Sequence, residues 1–71
     1  MIDFEIMEQA DRAHPEECCG FVVSQHSDGK EVVVVCPNTA DDPIRNYRIS
    51  TQDYLSASRL GKIKAVYHSH K

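Results

Sequence analysis

The chain predicts a small α/β domain, and three observations predict it. Apolar residues recur at helical period from Ile2 to Ala13, two runs rich in β-branched residues flank Asp28-Gly29, and a capped helix after Ser50 leads into a last apolar strand. The expected order is helix, strand, strand, strand, helix, strand, with a mixed sheet flanked by helices. With 71 residues the chain is expected to hold at most one small domain, residues 1–71, with a thin stability margin.

The first helix rests on Ile2, Ile6, Ala10 and Ala13, a stripe that Met7 widens. His14-Pro15 ends it, because proline disfavours the α region for its predecessor. Cys18-Cys19-Gly20-Phe21-Val22-Val23, after the two carboxylates Glu16 and Glu17, reads as a strand, and Glu31-Val32-Val33-Val34-Val35-Cys36 as its hairpin partner across Asp28-Gly29. The second strand is apolar on both faces, so it is expected at the centre of a sheet covered on both sides. Pro37 to Pro43 is a loop in which Asn38, Asp41 and Asp42 supply local side-chain hydrogen bonds.

Asn46-Tyr47-Arg48-Ile49 alternates as a short strand would, and Ser50-Thr51-Gln52-Asp53 resembles a capping box that opens a helix. Tyr54, Ala57 and Leu60 trace its inner stripe, and Gly61 suits a left-handed C′ position. The last strand, Lys62 to Tyr67, puts Ile63, Ala65 and Tyr67 on one face and Lys64, Val66 and His68 on the other. Strand, helix, strand order favours a parallel placement.

Composition excludes several classes. A net charge of -3, with the 8 basic residues scattered, argues against a nucleic-acid surface. No run approaches the roughly 18 apolar residues of a membrane span, and the acidic N-terminus is unlike a signal peptide, so the expected address is cytoplasmic. Cys18, Cys19 and Cys36 lack the spacing of a disulfide framework or a zinc ribbon and read as reduced, partly buried thiols.

Two places carry chemistry. His68 and His70, one residue apart at the end of a strand, project to one side and can converge on an ion. On spacing alone, an exposed chain end is the slightly stronger reading. Glu16 and Glu17 stand at the mouth of the first strand, where carboxylates are ordinarily just solvated.

Together the two places tell more. Pro15-Glu16-Glu17-Cys18-Cys19-Gly20 opening a strand, followed in order by Val66-Tyr67-His68-Ser69-His70, resembles the JAMM (MPN+, Mov34/PAD-1) zinc metallopeptidase family. The stretch Tyr47-Arg48-Ile49-Ser50, with an acidic residue and an aromatic leading the next helix, looks most like the N-terminal domains of lambda-like phage tail assembly proteins. The resemblance spans nearly the whole chain. It implies the N-terminal part of a JAMM/MPN-type fold, with His68 and His70 as Zn2+ ligands and Glu17 as general acid/base. Glu17, not Glu16, stands three positions before the glycine; Cys19 is read as a packing thiol. The family pattern continues past the second histidine with a serine and then an aspartate that completes the metal site, and its usual proline is Lys71 here. The 71 residues are therefore expected to be an inactive fragment of a zinc-dependent peptidase or isopeptidase in phage tail assembly, host-cytoplasmic or virion-associated. The implied partners are a protein or peptide substrate and phage tail proteins. The other expectation is a non-catalytic scaffold for tail proteins or for a homodimer, because sheet edges and apolar faces left uncovered invite pairing.

Overall fold

The structure, a computed structural model, describes residues 2–69, with side chains from Phe4 onward. His70 and Lys71 thus lie outside the described residues, as does the side chain of Ile2. Helix α1 (Ile2–Ala13) and the strands β1 (Cys19–Gln25) and β2 (Glu31–Cys36) come first, and α2 (Thr51–Leu60) runs without a loop into β3 (Gly61–His68). The α/β class is as expected. The described sheet, however, has three strands in the order β2-β1-β3, and both pairings are antiparallel.

Three expectations about the sheet change with this topology. β2 is not central: β1 lies between its two partners, and Val35 of β2 is 63% exposed. A valine run on both faces marks high β-propensity, which an edge strand satisfies as well as a central one. Asn46–Ile49 is not a strand: its backbone groups are held by Asn38 and Thr39 instead of a neighbouring strand. The strand that precedes α2 is therefore β2, and the chain passes through α2 to β3 on the far side of β1: β3 pairs antiparallel with β1 and so runs parallel to β2 without pairing with it.

Register decides which side chains share a face. Across β1, Cys19 faces Cys36 and His68, Phe21 faces Val34 and Val66, and Val23 faces Val32 and Ile63. Directly opposed residues lie on one face, so all nine belong to the same side. The pairing of β3 shifts between Val22 and Val23, where Lys64 is the extra residue of a bulge. The bulge moves Ile63 from the face expected for it to the face of Val66 and His68. There Ile63 packs against the core formed by Cys19, Phe21, Val23, Cys36 and Ala57, with Ile49 beside it.

α2 covers this face through Ala57, its one buried residue, while Tyr54 is half exposed and sets its ring edge-on to Phe21 at 5.9 Å. The helix begins as its sequence predicts. Ser50 Oγ accepts the Asp53 amide at 3.1 Å and donates to the Asp53 carboxylate at 2.8 Å. At the other end Gly61 has φ 179, extended backbone that opens β3, so it is no left-handed cap. Glycine is required there by proximity: a Cβ would run into the Ser24 carbonyl of β1.

The opposite face carries Gly20, Val22, Ala65 and Tyr67. Ile6, Ala10 and Ala13 of α1 are partly buried, but Met7 is 65% exposed and does not widen the stripe. Gln9 is the buried residue of that helix, and its Oε1 accepts the Tyr67 hydroxyl. A buried amide is stable only with such a partner. The Tyr67 ring reaches Gln9 by lying over Gly20, where a Cβ would meet the Tyr67 hydroxyl and the Val34 carbonyl.

Gly20→Ala is therefore expected to lower stability by about 1–3 kcal/mol, read as a lower urea midpoint at unchanged m. A variant as stable as the wild type would mean that the ring does not cross the strand there. Ser50→Ala should cost about 1 kcal/mol through the lost cap, with helical circular dichroism falling before the hairpin is affected.

Candidate functional site

Glu17 enters the site from the segment between α1 and β1, and the backbone holds it on both sides. Its amide donates to the Pro43 carbonyl at 2.7 Å, and its carbonyl accepts from the Asn38 side chain at 2.9 Å. The residue is 4% exposed, and its Oε1 lies 3.3 Å from Nδ1 of His68. Glu16, by contrast, is exposed. The bland expectation for a glutamate ahead of a strand holds for Glu16 and fails for Glu17.

His68 reaches this carboxylate because β3 pairs with β1 along its full length. The register sets His68 across from Cys19. Beyond it, the Ser69 amide donates to the Cys18 carbonyl at 3.0 Å, and the Cys18 amide donates to Ser69 Oγ at 2.8 Å, so the strand ends stay closed past the histidine. The Tyr47 ring stacks on the imidazole at a centroid distance of 4.3 Å and 14° between planes. A carboxylate at one ring nitrogen and an aromatic face along the ring fix the imidazole in position and in plane.

Next to the pair is a groove of about 340 Å³ walled by Phe21, Tyr47, Ile49, Tyr54 and Val66 and edged by Ser50 and Thr51 of the α2 N-terminus. Tyr47 belongs to both: it stacks on His68 and lines the groove. Val66 and His68 share the same face of β3, two residues apart. An apolar slot thus meets the imidazole through the shared Tyr47 ring.

The structure brings Glu17 and His68 together, and the third expected site residue, His70, lies outside the described residues. Among the described residues no three His, Cys, Asp or Glu side chains form a group that could hold a metal ion. Sequence reasoning singled out neither Tyr47 nor Asn38 as part of the site. Tyr47 was legible as part of an alternating stretch and of the resemblance to phage tail assembly proteins, and Asn38 as a turn residue; the contacts that give them their places span about twenty residues in sequence.

The thiols nearby are structural. Cys18, Cys19 and Cys36 are free and buried. Burial, followed by the neighbouring Cys36 and Cys18, pushes Cys19 up from 9.0 to about 11, and burial also raises Cys36. Such thiols stay protonated at neutral pH, which suits packing and not nucleophilic attack. Tyr67 is likewise pushed up to about 12, first by burial, while its bond to Gln9 acts in the other direction.

A mixed α/β domain that sets a buried carboxylate against a strand-end histidine defines the class. Residues 4–71 match the model of the prokaryotic homologs of the JAB domain, and the chain belongs to that family. It is also 38% identical over 65 residues to the tail tip assembly protein K of Escherichia phage N15, a match that covers 92% of this chain. The chain spans about a quarter of that relative, 26% of its length. No solved structure matches the chain significantly. No helix among the described residues is long and apolar enough to cross a membrane.

The thiol shift sets an alkaline limit. An unfolded thiol ionises near 9.0 while folded Cys19 keeps its proton to about 11, so the unfolded state binds fewer protons in that window. Its contribution to stability is full below pH 9 and declines as pH rises towards 11. Cys19→Ala should have a shallower fall in melting temperature across that window; an unchanged slope would show that Cys19 ionises as readily folded as unfolded.

Proposed function

We propose that Glu17 and His68 are parts of a JAMM-type zinc peptidase or isopeptidase site, and that the protein carrying it hydrolyses an amide bond of a protein or peptide during phage tail assembly. One observation carries this reading: a carboxylate buried to 4% exposure with an oxygen 3.3 Å from a strand-end imidazole. Burial of a carboxylate is costly and is retained where the group has a partner and a task. Membership of the JAB-homolog family and the similarity to a tail tip assembly protein support the same reading.

The donor chemistry fits zinc. A metal-binding histidine commonly gives its second ring nitrogen to a carboxylate, which sets its tautomer and orientation, and the Glu17–His68 contact is of that kind. His68 would hold the ion together with His70. Zinc there would supply the acidification of a bound water to a pKa near ~7. Glu17 does the proton work. Its carboxylate accepts the proton of the water that adds to the carbonyl carbon; as the C–N bond breaks, the same carboxyl returns that proton to the departing nitrogen. The groove beside His68 would seat an apolar side chain of the substrate while Tyr47 separates it from the reacting centre. The host cytoplasm or the assembling virion is the place of action that this function requires.

Zinc titration by calorimetry tests the reading. His68→Ala should weaken zinc binding by about tenfold or more, and equal affinities in the variant and the wild type would sink the metal site. In the protein that carries the complete site, Glu17→Gln should keep zinc but lose about 10²–10⁴-fold in peptide hydrolysis. Retained hydrolysis would remove Glu17 from the mechanism.

A second reading, a non-catalytic scaffold, draws on Phe4, Met7 and Val35, each more than 60% exposed. Large apolar side chains in that state suit contact with tail proteins or with a second copy. Zinc affinity that is indifferent to His68, together with self-association lost in Val35→Lys, would favour it.

A further inference from the structure

Asn38 stands two residues after β2, in the loop that leads towards α2, and its side-chain amide lies within hydrogen-bond distance of five backbone groups. The two N–H groups of Nδ2 donate to the carbonyls of Glu17 and Asn46, each at 2.9 Å, and the Pro43 carbonyl lies at 3.3 Å as a third, shared acceptor. Oδ1 accepts from the amides of Ala40 at 3.0 Å and Arg48 at 3.1 Å. Three acceptors face the nitrogen and two donors face the oxygen, so the surroundings dictate which way the amide points. Flipping it would oppose like with like at every contact.

These partners are not scattered. The Asn46 carbonyl and the Arg48 amide belong to the two peptide units that flank Tyr47, and one side chain grips both as a neighbouring strand would. Thr39 reinforces the grip, its amide and hydroxyl both donating to the Arg48 carbonyl at 2.9 Å. Tyr47, so held, lays its ring on His68. The remaining carbonyls are those of Glu17 itself and of Pro43, which in turn accepts the Glu17 amide. Both members of the candidate pair thus trace back to one amide group.

We propose that Asn38 is the positioning residue of the Glu17–His68 pair, acting on Glu17 through its backbone and on His68 through the Tyr47 ring stacked upon it. This role rests on the peptidase reading of the pair. Asn38 itself touches neither reacting group. A polar network of this kind is worth more satisfied than its members are singly, because each lost bond strands a partner in a poorly hydrated place.

Nuclear magnetic resonance on the chain as it exists tests this. In the wild type, the Asn38 side-chain amide protons should exchange with solvent about tenfold or more slowly than those of exposed Asn46. Equal exchange would overturn the clamp without any variant having to fold. In Asn38→Ala, the amides of Glu17 and Arg48 should exchange about tenfold faster relative to those of Val22 and Val34 in the hairpin. The His68 ring protons should also lose the shift that the Tyr47 ring imposes. A residue that merely stabilises the fold would speed all amides alike and leave the ring shift at its wild-type value, and either result overturns the role. Asn38→Asp keeps an acceptor for Ala40 and Arg48 but turns an oxygen towards three carbonyls. It should loosen Glu17 while Arg48 stays protected, and wild-type protection at Glu17 would count against the assignment. None of these readouts involves metal, so a protein that passes them yet ignores zinc would sink the peptidase reading alone.

Discussion

The pairing of β3 along β1 is the constraint on which the rest depends. β1 is the only described strand with partners on both edges, and its register with β3 sets His68 opposite Cys19, at the mouth where Glu17 enters. A slip by one residue would send every side chain of β3 to the other face. The bulge at Lys64 confines such a shift to the far end of the strand. It brings Ile63 into the core without disturbing Val66 or His68. Gly20 serves the same pairing from the other face, because only a residue without a Cβ lets Tyr67 cross β1 to meet Gln9.

The candidate site is assembled from a regular part and an irregular part, held by different means. His68 is on a strand and is placed by main-chain pairing. Glu17 and Tyr47 are on segments without regular structure, where backbone groups must find partners elsewhere. Asn38, Thr39 and the Pro43 carbonyl supply those partners. A loop held by side-chain amides can carry a buried carboxylate at a fixed distance from an imidazole, which a solvated loop could not. The buried thiols of Cys19 and Cys36 belong to the core and stay protonated at neutral pH, adding no charge there.

The JAB-family domain sets a buried carboxylate against an imidazole at a strand end, and an apolar groove shares Tyr47 with that imidazole. The similarity to a tail tip assembly protein runs over nearly the whole chain and a quarter of that relative. The groove and the pair share Tyr47. The ring that lines the groove is thus the one stacked on the His68 imidazole.

Much of this was legible in the residues, for reasons of short range. Helical period marked α1, the Asp28-Gly29 turn marked the hairpin, and Ser50 with Asp53 marked the start of α2, since each depends on neighbours a few positions apart. The choice of Glu17 over Glu16 came from its motif, and burial separates the two in the same direction. Misreadings arose where the deciding contact was distant. The valine run of β2 looked central and is an edge, Asn46–Ile49 looked like a strand and is tied by a side chain, and Gly61 looked like a cap and is a close approach. The sequence by itself determined α1, the β1–β2 hairpin, α2, the last strand and the family, and it nominated Glu17 and His68, because propensity, turn chemistry and motifs are local. Only the tertiary structure decided the antiparallel register, the bulge and the Asn38 clamp, because those depend on which segments meet across the sheet.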